Sequence, residues 1–265
     1  MYLTTSLKEA LVRYRRAIAR KQGLCCILGD NGMGKSSLLR FLATGYESDP
    51  NCNVSYFSDT RRFKTTFDFL KLISADFGIG PKRSQTAQMD AIEEFLGKNH
   101  EDGKTTLIFI DEAQRLNMNT LELLRALLNY ETNIEKLVQI VVSGQLELRE
   151  GLLERRYKAF RSRIVAPLLM ERMTAIDTQA MIEFRLDAWG IGRDLFQSEA
   201  LTKIHELSDG VPRDILYLCQ HSYDTATDAG RQRIEASDVE LASRKMQIAD
   251  PSSPVPEEEL AIGIG

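Results

Sequence analysis

Residues Gly29, Asp30, Asn31, Gly32, Met33, Gly34, Lys35 and Ser36 spell G-x-x-x-x-G-K-S, between an apolar run, Leu24 to Leu28, and a helical pattern, Ser37 to Leu42. No other stretch restricts the fold of this chain as tightly. Three glycines within six positions free the backbone to enter the left-handed region. The helix that follows supplies unpaired N–H groups and the positive end of its dipole. A strand, loop and helix in this order form a cradle for a polyphosphate. The expected contacts run from Gly29 through Ser37. Lys35 reaches the β and γ phosphates, and Ser36 offers its hydroxyl to Mg²⁺. The plainer reading, a glycine-rich turn beside a solvated lysine, fits the flanking strand and helix less well.

One strand and one helix cannot bury their apolar faces alone, so the same alternation is expected to continue. Apolar runs at Leu24 to Leu28, Val54 to Phe57, Thr106 to Ile110, Val138 to Ser143 and Ile164 to Leu168 are separated by helical patterns. This predicts an α/β domain over residues 1–170, with a five-stranded parallel sheet flanked by helices. Beyond Met170 the pattern is helical only: Thr174 to Trp189, Ser198 to Leu207, Pro212 to Ala226 and Ala236 to Met246. A small all-helical domain over 171–248 is expected, followed by an acidic, proline-rich tail over 249–265 that is expected to be disordered. That tail is either an inert terminus or a docking peptide for a partner protein. With 265 residues and 43% hydrophobic content, the chain can build both cores.

A net charge of −4 gives no overall basic signature, so any contact with nucleic acid must come from a local patch. Cys25, Cys26, Cys52 and Cys219 lack metal-ligand spacing and read as buried thiols in a reducing compartment. No run is long enough to span a bilayer, and the first residues lack a basic-then-apolar leader. A cytoplasmic protein without membrane insertion is expected.

Thr106 to Ile110 is an apolar strand that ends in Asp111 and Glu112. A doubly covered parallel strand tolerates charge only at its carboxyl end, where open α/β sheets bind ligands. There Asp111 is placed to orient Mg²⁺ and its waters, and Glu112 to polarise a water for attack on the γ phosphorus. The alternative is a plain strand end entering a helix, where acids are favoured anyway. Val138 to Ser143 leads likewise into Gly144 and Gln145. Gln145 is the first choice for a hydrogen bond to the γ phosphate or its attacking water, and Ser143 the second. The basic run from Arg155 to Arg163 reads either as a solvated face or as the source of an arginine finger, a guanidinium offered to a neighbouring subunit's γ phosphate. In Gly210-Val211-Pro212-Arg213, proline opens a helix with an arginine beside it, a candidate to report nucleotide occupancy.

Together these runs resemble the AAA+ ATPases of the initiator-like clade, and more closely the ExeA-like group. That group includes the ATPase of type II secretion assembly and the TniB/TnsC-like target-selection ATPases of transposons. The resemblance is carried by Leu7 to Leu11, the phosphate loop, Ile110 to Leu116, Leu123 to Thr132, Val142 to Glu150 and Gly210 to Arg213. It implies ATP and Mg²⁺ as ligands, held between subunits of a homo-oligomeric ring or filament. It also implies Gln145 as sensor 1, Arg163 as the finger with Arg161 as second candidate, and Arg213 as sensor 2. The secretion members carry an aromatic and proline-rich leader and a later membrane span. The sequence here shows neither, which shifts the expectation toward the DNA-handling members.

Those members touch duplex DNA with the segment after the second strand, here Ser58 to Thr66. Independently, Arg61, Arg62 and Lys64 with neighbouring hydroxyls at a helix start suit phosphate contacts without base readout, and Lys82 and Arg83 form a second cluster. Ordinary surface charge is the alternative for both. The expected function is therefore a Mg²⁺-dependent AAA+ ATPase that assembles on duplex DNA and selects transposition targets by recruiting a transposase. Its rivals are a secretion or envelope-assembly ATPase acting on protein partners, and a nucleotide switch without turnover.

Overall fold

The computed structural model describes residues 1–62 and 64–249, with the side chains of Arg62 and of residues 245–249 left out. The expected tail from Asp250 lies outside the described residues. Two compact units divide the chain, Leu3 to Glu171 and Arg172 onward, with Tyr2 belonging to the second.

In the first unit, helix α1 (Thr5–Ala19) precedes strand β1 (Leu24–Leu28), helix α2 (Lys35–Glu47) and strand β2 (Cys52–Phe57). Helices α3 (Thr66–Asp76) and α4 (Gln85–Glu101) then lead to β3 (Thr105–Ile110), α5 (Met118–Leu127) and β4 (Val138–Gly144). Helices α6 (Leu146–Leu153) and α7 (Lys158–Arg161) precede β5 (Ile164–Leu169). The five strands are all parallel, in the order β2-β3-β4-β1-β5. The three inner strands are buried almost throughout, whereas β5, at an edge, alternates between buried and exposed positions over most of its length. Burial on both faces accounts for the mainly apolar sequences of the inner strands.

Two polar residues in the inner strands are satisfied within the fold. Gln139 accepts the Gly23 N–H at 2.8 Å and donates to the Lys136 carbonyl at 2.9 Å, while Thr106 accepts from Asn99 at 3.1 Å. On the α1 side, the buried Tyr14 hydroxyl donates to the Cys26 carbonyl at 2.9 Å, which ties α1 to the sheet. Cys25 and Cys26 are buried as expected, but Cys52, which starts an edge strand, and Cys219, packed against the core of the second unit, are only half-buried.

The second unit contains α8 (Ala175–Trp189), α9 (Ser198–Ser208), α10 (Pro212–Asp228) and α11 (Ala236–Ala249) around its own apolar core. Thr174 caps α8 by accepting the Asp177 N–H at 3.1 Å. Gly210, at φ +69°, packs against the Met173 backbone so closely that a Cβ has no room. Among the described residues no helix is long and apolar enough to cross a membrane.

Candidate functional site

The order of strands determines where the site forms. Strand β1 lies between β4 and β5, with Leu28 in register with Gly144 on one side and Leu169 on the other. The chain leaving β1 therefore emerges at the carboxyl edge of the sheet, where the strand order reverses. Gly29 passes Met170 so tightly that a Cβ would lie 3.0 Å from the Met170 side chain. Gly32 and Gly34 take φ of +80° and +88°, and Gly34 is the N-cap of α2 with no side chain capping it. A Cβ on Gly34 would meet nothing within 4 Å. Uncapped amide groups, open space and a 13-residue helix behind them are what an anionic group requires. Lys35 is 6% exposed and its Nζ donates to the Asp30 carbonyl at 2.7 Å, so its ammonium is folded over the loop. Met33 is buried, whereas Asp30, Asn31, Ser36 and Ser37 are not, the two serines lying in the first turn of α2.

Strands β3 and β4 deliver the remaining groups. Ile110 pairs with Val142, so Asp111 and Ser143 follow as neighbours, and the Ser143 hydroxyl donates to Asp111 Oδ1. Asp111 is 4% exposed, and its Oδ1 also accepts the Glu112 N–H at 2.9 Å. Glu112 takes the left-handed conformation at φ 54°, ψ 38°, a costly one for a residue with a side chain. Its carboxylate accepts from Gln114 Nε2 at 2.8 Å and lies 3.6 Å from Arg115, while its carbonyl accepts from the Thr60 hydroxyl at 3.4 Å. Gln145 is the N-cap of α6, and its backbone N–H donates to Gln114 Oε1 at 3.1 Å.

Residues 17–152 match the AAA domain family. The chain belongs to that family of ATPases. General secretion pathway protein A of Aeromonas hydrophila is 29% identical over 245 residues, which are 92% of this chain and 44% of that protein. The chain thus spans less than half the length of this curated relative. The ORC2 protein of Aeropyrum pernix, solved as ADPNP-ADP complexes, has a TM-score of 0.65 at 16% identity, covering 98% of this chain and 71% of that one. The ORC1 protein of the same organism, in complex with DNA, has a TM-score of 0.63 at 16% identity, covering 91% of this chain and 65% of that one. At that level of identity the two solved structures share the fold alone.

In this AAA ATPase the donor set suits a magnesium nucleotide. Among the described residues no three His, Cys, Asp or Glu side chains gather to hold a metal ion. Buried Asp111 and the exposed Ser36 hydroxyl are oxygen donors of the kind that could hold Mg²⁺ together with phosphate oxygens and water. Of the basic run, Arg161 is engaged by its own chain, its Nη1 donating to the Leu152 carbonyl at the end of α6 at 2.7 Å. Arg163 donates to Asn129 Oδ1 at 2.9 Å. Arg213 lies in the first turn of α10, in the second unit.

The segment after β2 leads into a helix as expected, but only at its last residue: Thr60–Arg62 forms a single 3₁₀ turn, and α3 starts at Thr66. Thr65 and Asp68 make a capping box, so the helix begins after the cations. Arg61 also donates twice to Asp59, at 2.9 and 3.1 Å, in an exposed pair that occupies one cation of the cluster. Lys64, Lys82 and Arg83 are exposed. The linear pattern does not mark Gln88, which is fully buried: it accepts the Lys82 N–H at 2.8 Å and donates to Ser74 at 2.8 Å, fixing the loop that carries Lys82. Nor does it mark Thr60 or the bonding of Gln114, because nothing in it tells which residues meet across strands.

Proposed function

We propose that this AAA ATPase hydrolyses Mg²⁺-ATP at a site shared between subunits and assembles on duplex DNA when ATP is bound. Lys35 and the amide groups of Gly29 to Ser37 neutralise and orient the phosphates. Asp111 and Ser36 hold Mg²⁺, which when bound offsets charge on the β and γ oxygens. Glu112 accepts a proton from the attacking water, Gln145 aligns that water, and Arg163 of the next subunit stabilises the transition state, with Arg161 as second choice. Arg213, in the first turn of α10, is the sensor 2 residue that the resemblance implies.

The observation that carries the DNA reading is the hydrogen bond from the Thr66 hydroxyl to Gln85 Oε1 at 2.9 Å. It joins the starts of α3 and α4, so Lys64 just before one helix and Lys82 and Arg83 just before the other share one end of the helix pair. Arg61 and Arg62 precede them in the chain. Few cations per subunit bind DNA weakly, and repetition along an assembly multiplies the affinity. The DNA complex of the ORC1 relative in fold supports this reading. Release on hydrolysis suits a transposition target selector that recruits a transposase, the role which the resemblance to TniB/TnsC-like proteins suggests.

The match to general secretion pathway protein A favours a second reading, an ATPase acting on protein partners. ATP turnover measured with and without duplex DNA, across protein concentration, separates the two. DNA-stimulated turnover that rises steeply with protein concentration, together with rings or filaments seen by electron microscopy, is the expected result. Turnover indifferent to DNA would favour the secretion reading, and negligible turnover a nucleotide switch.

A further inference from the structure

We infer that Gln114 is a positioning residue that clamps the Glu112 carboxylate to the tip of β4. The inference rests on the proposed role of Glu112 as proton acceptor. The two ends of the Gln114 carboxamide serve different strands. Nε2 donates to Glu112 Oε2 at 2.8 Å, and Oε1 accepts the Gln145 N–H at 3.1 Å. Chemistry fixes this orientation: a carboxylate only accepts and a backbone N–H only donates, so a flipped amide would oppose like groups at both ends.

The surroundings favour a clamp. Gly144 leaves space for it, since a Cβ there would lie 3.3 Å from Gln114 Oε1 and 2.5 Å from Leu148 Cδ2. Gln145 has no side-chain cap on α6, so the Gln114 oxygen satisfies an amide at the start of that helix. The Glu112 backbone is held by Asp111 and Thr60, which leaves its side chain to be aimed by Gln114 and by an exposed Arg115 at the longer distance of 3.6 Å. A group engaging Gln145 therefore moves, through one planar amide, the carboxylate that takes the proton.

Two variants separate the two bonds. Gln114→Met removes both. Gln114→Glu keeps an acceptor for the Gln145 N–H but cannot donate to Glu112. In nucleotide-free protein, exchange of the Gln145 amide hydrogen should quicken about tenfold in Q114M and stay unchanged in Q114E, because only the former loses the bond. Both should lose about tenfold or more in kcat, with KM for ATP and binding of a fluorescent ATP analogue retained. Wild-type kcat in Q114E overturns the inference, as does unchanged Gln145 exchange in Q114M. Loss of nucleotide binding by Q114E also overturns it, since that marks an architectural role. Glu112→Gln distinguishes the layers: E112Q turning over at the parental rate removes the role of Glu112 and the clamp with it. An inactive E112Q beside a fully active Q114E removes the clamp alone.

Discussion

The Thr66 hydroxyl donates to the Gln85 carboxamide at 2.9 Å, and this one bond joins the starts of α3 and α4, the two helices that Lys64 and the Lys82-Arg83 pair precede. Replacing Lys64, Lys82 and Arg83 together by alanine should weaken duplex binding to a similar degree on unrelated sequences, because cations that meet phosphates carry no base information. The slope of log affinity against log salt should become shallower by about 0.9 for each phosphate that is no longer neutralised. Fluorescence anisotropy at several salt concentrations measures both. An unchanged slope would take these residues out of the interface.

Gly34 tests the phosphate loop apart from its charge. At φ +88° with open space around it, alanine there meets no atom, and its cost is backbone strain of about 1–2 kcal/mol. For a chain of this size that lowers the melting temperature by roughly 2–8 °C. ATP should raise the melting temperature of the variant less than that of the wild type, because a relaxed loop turns its amide groups from the phosphates. Lys35→Ala should lose ATP stabilisation without the backbone penalty. Thermal melts with and without Mg²⁺-ATP check both.

Strand β1 was legible to the residue because Gly23, at φ +106°, and Gly29 bracket a run with no polar side chain. The edge strands were read short, since Cys52, Asn53 and Leu169 extend them by pairing that an apolar run does not announce. The carboxylates at the end of β3 were legible because a strand covered on both faces admits charge only at its carboxyl end. Their partners were not. Thr60 with Glu112, Gln114 with Gln145 and Ser143 with Asp111 are joined across 52, 31 and 32 residues, and those meetings follow from the order of strands in the sheet. The alternation of strands and helices gives the class of fold but leaves that order open.

The thiols yield a prediction in pH. Burial pushes Cys25 and Cys26 up to about 12, and desolvation raises the half-buried Cys219 to about 12 and Cys52 to about 11. A raised pKa makes the reactive thiolate scarcer at a given pH, about a thousandth of Cys52 at pH 8 and about a ten-thousandth of the others. Iodoacetamide should therefore label the folded protein slowly, Cys52 first, at a rate rising about tenfold per pH unit between pH 7 and 9. Mass spectrometry of the labelled peptides reads the order. Early labelling of Cys26 would mean that the sheet opens on that timescale.

In the proposed site Arg163 and Lys35 come from different subunits, so their loss should be mutually repairable. Arg163→Ala removes a guanidinium that contacts only Asn129 among the described hydrogen bonds, and the fold should tolerate its loss. That variant alone should bind ATP and hydrolyse it at least about a thousandfold more slowly than wild type, the lower end of the range for removal of a finger. Lys35→Ala alone should fail for want of the ammonium on the phosphates. Mixed in equal amounts, the two should regain turnover, because about a quarter of randomly formed interfaces pair an intact loop with an intact arginine. Recovery toward that fraction in a titration of one variant into the other supports a site completed in trans. Mixtures as inactive as their parts would instead place the arginine outside the site, and the same titration with Arg161→Ala would then decide which of the two side chains crosses to the neighbour.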